Sequence, residues 1–160
     1  MPQRSSLNDI SKKIAVIGIG NTLRSDDGIG AHICRLLDEM QLTCFTTFIV
    51  QQLHVELIED LIEYDLVILV DASVTGNDIA LTPVTFNETQ TITASHHLNA
   101  QMFGALSQKI FGTNVPILLC SVKGENFEFG ESLSVFADTN TTKAITLIFD
   151  SVSKLLQKDH

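Results

Sequence analysis

Two hydrophobic patterns alternate along the chain. Continuous apolar runs, typical of strands buried on both faces of a parallel sheet, occupy residues 13–19, 66–71 and 116–122. A run rich in Thr and β-branched residues at 45–50 predicts one more strand. Apolar residues at helical spacing, or shorter amphipathic stretches, predict helices at 29–40, 55–63, 98–111 and 137–158.

This alternation of strands and helices predicts an α/β fold. Short right-handed crossovers place helices on both faces of a parallel sheet. We therefore expect a three-layer sandwich with a mostly parallel, twisted sheet of about five strands. A weaker strand at 79–86 contains Pro83, which lacks a backbone N–H, so we place it at the edge of the sheet.

Length and composition favour one domain. The chain has 160 residues, of which 44% are hydrophobic, enough for one well-buried core and too few for two ordinary domains. We expect a single α/β domain over 1–160, with residues 1–12 as a polar leader. The polar leader and the absence of a long apolar run predict no signal peptide and no membrane partner, which favours the cytoplasm.

Charge and cysteine content exclude several classes of function. A formal net charge of -9 argues against nucleic acid as a partner, because such proteins need a basic face. The three cysteines, Cys34, Cys44 and Cys120, are widely spaced, which argues against a disulfide framework or a structural zinc site. Cys34 falls in a predicted helix and Cys120 in a predicted core strand, so we interpret them as buried apolar residues.

The first strand-to-helix loop carries the main chemical signal. In doubly wound folds the ligand crevice lies at the carboxyl ends of the strands. The loop, residues 18–30, resembles a glycine-rich nucleotide loop, but Leu23 stands where a dinucleotide-binding motif needs glycine. Asp26 and Asp27 would also repel a phosphate. Each aspartate is either a helix cap or a crevice residue, and one is enough for the cap.

Asp71 and His96 are the other candidate site residues. Asp71 ends a predicted central strand and should face the crevice beside the first loop, although it could also begin a turn. His96 follows a Thr-rich loop and could complete a set of two carboxylates and one imidazole, which suits a divalent transition metal. His97 is the alternative histidine. We interpret the remaining histidines as non-catalytic: His32, His54 and His160.

The loop from Gly18 to Gly30, the Val70-Asp71-Ala72 segment and Ser95-His96 before a helix together resemble the hydrogenase maturation proteases. The resemblance covers nearly the whole chain after the leader. Residues 51–54 and 124–131 look more like the members that serve bidirectional, NAD-linked hydrogenases.

The resemblance implies a specific activity. It implies an endopeptidase that removes a C-terminal extension from the large-subunit precursor of a nickel-iron hydrogenase after nickel insertion. Asp27, Asp71 and His96 would then be the catalytic residues that contact the nickel. The nickel would arrive with the substrate, and no cofactor would be permanently bound. Either the nickel or a carboxylate acting as general base could drive hydrolysis. The alternative function is a nickel-binding carrier or checkpoint module without peptidase activity.

Overall fold

Five strands form one sheet in the computed structural model, which describes residues 7, 10–85, 99–112 and 114–157. The strands are β1 (Ile14–Ile19), β2 (Phe45–Val50), β3 (Leu66–Ser73), β4 (Ile79–Pro83) and β5 (Ile117–Lys123). The described α-helices are α1 (Ile29–Glu39), α2 (Glu56–Leu61), α3 (Ala100–Phe111) and α4 (Val135–Gln157). A 3-10 turn, Ser25–Gly28, leads into α1.

The strand order is β2-β1-β3-β5-β4. The first four of these strands run parallel to their neighbours, and only β4 runs antiparallel to β5. Pro83 is the last residue of β4, at the edge where a missing N–H costs no ladder bond. The predicted mostly parallel sheet with 79–86 at its edge is confirmed, although the strand ends at Pro83.

Helices cover both faces of this sheet. Alternate residues of one strand enter different cores: Val16 packs in the core beneath α1 and α4, and Ile17 packs in the core beneath α2 and α3. The central strand β3 divides in the same way, with Ile68 on the first face and Leu69 on the second. Two buried faces explain the uninterrupted apolar runs and confirm the three-layer sandwich.

Several element ends differ from the predicted ones. The third strand continues past Asp71 to Ser73, because the pairing with β5 extends to Lys123. The last helix begins at Val135, because the Ser134 hydroxyl accepts a hydrogen bond from the Ala137 N–H at 3.1 Å and caps it. The second helix spans only Glu56–Leu61. Within the described residues, no helix combines the length and apolar character that crossing a bilayer requires.

Candidate active site at the ends of β1 and β3

Two glycines bring the start of α1 into direct contact with the sheet. A Cβ added to Gly30 would lie 2.6 Å from the Ile19 nitrogen and 2.8 Å from the Val70 carbonyl oxygen. A Cβ added to Gly18 would collide with the Gly30 carbonyl. Only glycine permits this approach of helix and strand backbones. As a result, the loop between β1 and α1 lies over the carboxyl ends of β1 and β3.

This loop fixes the position of Asp27. The Asp27 carboxylate accepts a hydrogen bond from the Asn21 N–H at 2.7 Å, and the Asp27 N–H donates to the Arg24 carbonyl at 3.0 Å. Gly20 has φ +139°, and a Cβ there would collide with the Asp27 carbonyl. The loop therefore turns tightly at Gly20. Asp27 is held half-buried beside the carboxyl end of β1.

Asp71 lies on the central strand opposite this loop. Its Cα pairs with Ile19 on β1 and with Ser121 on β5. Burial raises the pKa of Asp71 to about 6, and the negative charge of Asp27 adds to the increase. A hydrogen bond from the Ala72 N–H lowers the pKa of Asp71 and so partly offsets this increase. The two carboxylates are therefore close enough to interact, and Asp71 gains or loses its proton near neutral pH.

Asp27 and Asp71 line the same crevice, which has a volume of about 410 Å³. Gly20, directly after β1, and Leu119, within β5, also line it. The other walls are residues 51–53, directly after β2, and 99–101, at the start of α3. A carboxylate pair with one raised pKa can bind a cation, or can share a proton and act as acid and base.

The third predicted site residue, His96, lies outside the described residues, as does His97. Asn99, three residues after His96, lines the crevice and caps α3 by accepting a hydrogen bond from the Met102 N–H at 2.8 Å. Within the described residues, no group of three His, Cys, Asp or Glu side chains could hold a metal ion. The described part of the site thus offers two carboxylates, and the nickel contact remains a prediction for all three residues.

Asp26 has a role that the sequence interpretation missed. It is fully buried, and its Oδ2 accepts hydrogen bonds from the N–H groups of Glu125 at 2.8 Å and Asn126 at 2.9 Å. Both Ser134 donors also bind it, the N–H at 2.7 Å and the hydroxyl at 2.8 Å. Burial alone would raise the pKa of Asp26, but these hydrogen bonds together lower it. Asp26 is therefore an ionised carboxylate that ties residues 124–134 to the first loop.

Neither aspartate caps a helix through a side-chain hydrogen bond, although both lie in the first turn of the 3-10 helix. The 3-10 turn has Arg24 at its N-cap and α1 has Gly28, and neither cap makes a side-chain hydrogen bond. The sequence signal was the presence of two adjacent carboxylates in one loop, more than a helix cap requires. The residues that donate hydrogen bonds to Asp26 lie about 100 positions further along the chain, so no local sequence pattern indicates them.

His32, His54, Cys34 and Cys120 do not line the crevice. His32 is 3.6 Å from Asp138, and His54 is 3.4 Å from Glu56, and all four side chains are at least one-third exposed. Burial raises the pKa of the Cys34 thiol, and likewise that of Cys120, to about 12. Such thiols remain protonated at neutral pH, which agrees with their interpretation as buried core residues.

Comparisons with known proteins agree with this architecture. No protein-family model matches the sequence, and no curated protein matches it. Among solved structures, the hydrogenase maturating endopeptidase HybD from E. coli superposes with a TM-score of 0.66 at 21% identity, over 89% of this chain and 93% of that one. The chain has the fold of the hydrogenase maturation endopeptidases. The resemblance predicted from the sequence is thereby confirmed at the level of fold.

Two further structures with this fold match over almost their whole length. The [NiFe] hydrogenase maturation protease HycI from Thermococcus kodakarensis gives a TM-score of 0.65 at 20% identity, covering 94% of this chain and 98% of that one. A hydrogenase 2 maturation peptidase from a Thaumarchaeota archaeon gives 0.64 at 18% identity, covering 88% and 98%.

Proposed function

We propose that this chain is an endopeptidase that removes the C-terminal extension of a nickel-iron hydrogenase large-subunit precursor after nickel has been inserted. The observation that carries the proposal is the placement of Asp27 and Asp71 in one crevice at the carboxyl ends of β1 and β3. In mostly parallel sheets, ligands usually bind in a crevice at the carboxyl ends of the strands. The three solved structures compared above are named as hydrogenase maturation peptidases.

Nickel enters this proposal as part of the substrate. Carboxylate oxygens and one imidazole suit a divalent transition metal with open positions, so Asp27, Asp71 and His96 would contact a nickel ion that the precursor carries. Asp71 exchanges its proton near pH 6, so the arriving cation would displace a weakly held proton. The free protein would then have no permanent metal, and an empty precursor would be recognised poorly.

Two routes to hydrolysis remain consistent with these residues. The nickel would fix the register of the scissile bond, and either the ion or a carboxylate would activate the attacking water. Asp27 is suited to the general-base role, because it is half-buried and its Oδ2 already accepts the Asn21 N–H, which leaves Oδ1 for water. Asp71, once deprotonated, would hold the ion or the water from the opposite side.

The remaining walls of the crevice suit a peptide chain. Gln51 and Gln101 line it, and an amide side chain can donate to a peptide carbonyl and accept from a peptide N–H. Leu53 and Ile19 supply apolar surface at the same crevice. The proposed substrate segment is therefore an extended, uncharged stretch of backbone at the junction before the C-terminal extension.

We place this reaction in the cytoplasm, with the large-subunit precursor as the partner. The sequence of residues 51–54 and 124–131 favours a precursor of the bidirectional, NAD-linked type. In the structure, residues 51–53 are a wall of the crevice, which is where a difference in precursor type would be expected to matter.

The test is the intact mass of a nickel-loaded large-subunit precursor before and after incubation with the protein. We expect loss of a C-terminal peptide with the unmodified chain, and none with Asp71→Asn or Asp27→Asn. Asp60→Asn is the matched control, because Asp60 is an exposed aspartate on α2 that does not line the crevice. A nickel-free precursor should remain intact.

Two results would contradict the peptidase. One is an uncleaved precursor from every plausible loaded hydrogenase. The other is cleavage that survives both crevice substitutions. Tight nickel binding by the isolated protein, measured by calorimetry and accompanied by no cleavage, would instead establish the carrier or checkpoint function.

A further inference from the structure

An aromatic side chain stands almost fully in solvent on a segment that is hydrogen-bonded to the loop carrying Asp27. Phe129 is 92% exposed, although burying a phenylalanine normally stabilises a protein by about 2 kcal/mol or more. It belongs to residues 124–131, which we name the Phe129 loop. Leu23, in the loop that carries Asp27, is 53% exposed. The two residues come from adjoining segments, since the Gly130 N–H donates to the Leu23 carbonyl at 2.9 Å.

The Phe129 loop is held in place from several directions. The Ser25 N–H donates to the Gly130 carbonyl at 2.7 Å, and the Ser25 hydroxyl donates to the Glu128 carbonyl at 2.8 Å. Arg24 Nε donates to the Phe127 carbonyl at 3.2 Å. Ser25 keeps φ +50°, a conformation that is costly for a residue with a side chain and that these contacts maintain. Buried Asp26 anchors the start of the loop.

A fixed loop makes an exposed aromatic side chain useful for binding. A flexible segment loses conformational entropy when it is immobilised at an interface. A segment whose backbone is already ordered loses less. Large aromatic side chains seated in a partner's pocket dominate the energy of many protein interfaces. Phe129 has both properties, because its backbone is held on each side and its ring is free of cover among the described residues.

The surroundings indicate what partner would fit. Three exposed carboxylates, Glu125, Glu128 and Glu131, flank Phe129, and the exposed Arg24 is the nearby cation. The chain as a whole carries a formal net charge of -9. An apolar anchor with an acidic rim is complementary to an apolar pocket with a basic rim. A second copy of this chain would present the same acidic rim, so charge disfavours self-association.

We propose that Phe129 and Leu23 anchor the folded body of the hydrogenase large-subunit precursor, which would present an apolar pocket rimmed by Lys and Arg side chains. This inference rests on the proposed function, since the peptidase activity supplies the partner. The surface adjoins the loop that lines the crevice, because Leu23 and Asp27 belong to the same short loop. Docking at Phe129 would hold the precursor while its C-terminal junction enters the crevice.

The test combines direct binding with steady-state cleavage of the same nickel-loaded precursor. We expect Phe129→Ala to weaken binding about tenfold or more and to raise KM similarly, with kcat within about twofold of the unmodified protein. Phe129→Leu should recover part of the loss. The double variant E125Q/E128Q should bind more weakly at low salt and lose most of the salt dependence. Ile62→Ala is the control, because Ile62 is 46% exposed at the end of α2.

The outcomes separate this inference from the peptidase itself. Binding and KM that stay within about twofold in Phe129→Ala would overturn the docking surface, even if the unmodified protein cleaves normally. Phe129-dependent binding without cleavage would support the docking surface and reject the peptidase. If sedimentation velocity shows a dimer that Phe129→Ala dissociates while precursor binding is unchanged, the surface is an interface between copies and the proposal is wrong.

Discussion

Asp26 and Ser134 lie 108 positions apart in sequence and are joined by two hydrogen bonds, one to each carboxylate oxygen. The same serine hydroxyl accepts from the Ala137 N–H and so caps α4. Asp26 thus links the start of the first crossover to the start of the last helix. Its neighbour Asp27 lines the crevice, so two adjacent carboxylates have different surroundings.

Replacing Asp26 should destabilise the protein strongly. In Asp26→Asn, an NH₂ group or a neutral carbonyl faces donors from Glu125, Asn126 and Ser134, so buried N–H groups lose their charged acceptor. We expect the free energy of unfolding to fall by about 3 kcal/mol, measured by urea denaturation. Ser134→Ala retains the backbone bond to Asp26 and should cost about 1 to 2 kcal/mol. Equal stability of Asp26→Asn and the unmodified protein would contradict the linking role.

The lowered pKa of Asp26 also predicts the sign of an acid effect. A carboxyl group whose pKa falls on folding contributes stability that is present above its unfolded pKa, near 3.8, and is lost as the pH falls through the lower folded value. The difference in unfolding free energy between the unmodified protein and Asp26→Asn should therefore shrink as the solution is acidified below about pH 4. A difference that stays constant from pH 7 to pH 2 would argue against an ionised Asp26.

The raised pKa of Asp71 predicts a change of stability with pH that has the opposite sign. Its folded pKa, about 6, lies above its ordinary value of 3.8, so its contribution to stability is complete below pH 3.8 and is lost as the pH rises through 6. Asp71→Asn resembles the protonated form, so its stability relative to the unmodified protein should increase by about 1 to 2 kcal/mol between pH 4 and pH 7, allowing for solvent screening. Thermal unfolding across that range measures the difference. If the stabilities of Asp71→Asn and the unmodified protein changed in parallel with pH, the pKa of Asp71 would not be raised.

Removing the charge of Asp27 should change the titration of Asp71. Asp27→Asn can still accept the Asn21 N–H through its amide oxygen, so the loop should keep its conformation. The pKa of Asp71 should fall, yet remain above 3.8, because burial is the larger cause of its increase. Carbon-detected NMR of the Asp71 carboxyl group follows this titration directly. Asp60→Asn should leave it unchanged, and an unaltered value in Asp27→Asn would place the two carboxylates too far apart to cooperate.

Gly30→Ala should separate α1 from the sheet. The added methyl group would press on backbone atoms of Ile19 and Val70, which cannot rotate away as a side chain would. We expect a loss of about 2 to 3 kcal/mol in unfolding free energy and a displaced Asp27. Gly28→Ala is a useful comparison, because its added Cβ would meet its nearest atom, the Thr22 Cα, at 3.3 Å. Alanine has a higher helix propensity than glycine, so propensity alone would stabilise the Gly30→Ala variant. A Gly30→Ala variant that is as stable as Gly28→Ala or more stable would therefore contradict the close contact with the strands.

Much of this architecture follows from local patterns in the sequence. Uninterrupted apolar strands at Ile14–Ile19 and Leu66–Ser73 indicate a sheet covered on both sides, and the crossovers then fix the parallel order. That order alone places the end of β3 beside the loop after β1. The proximity of Asp27 and Asp71 could therefore be predicted without coordinates, although their catalytic role stays a prediction.

The role of Asp26 could not be predicted in the same way. Its partners lie in residues 125–134, where the sequence has no apolar periodicity and the backbone follows the hydrogen bonds that it makes to the first loop. Hydrogen bonds from backbone N–H groups depend on chain geometry more than on residue type, so the sequence of that segment does not encode them. For the same reason, the extension of β3 to Ser73 depended on how far β5 continues beside it.

The close contact between Gly18 and Gly30 divides the crevice into a part that resists alteration and a part that tolerates it. Where two backbones touch, no side chain can be added, so the acidic side of the crevice has almost no freedom to diversify. The opposite walls, residues 51–53 and 99–101, are not constrained by that contact. An engineer who wished to change what the crevice accepts would therefore randomise residues 51–53, 100 and 101, and would keep both the Asn99 cap of α3 and the glycine contact intact.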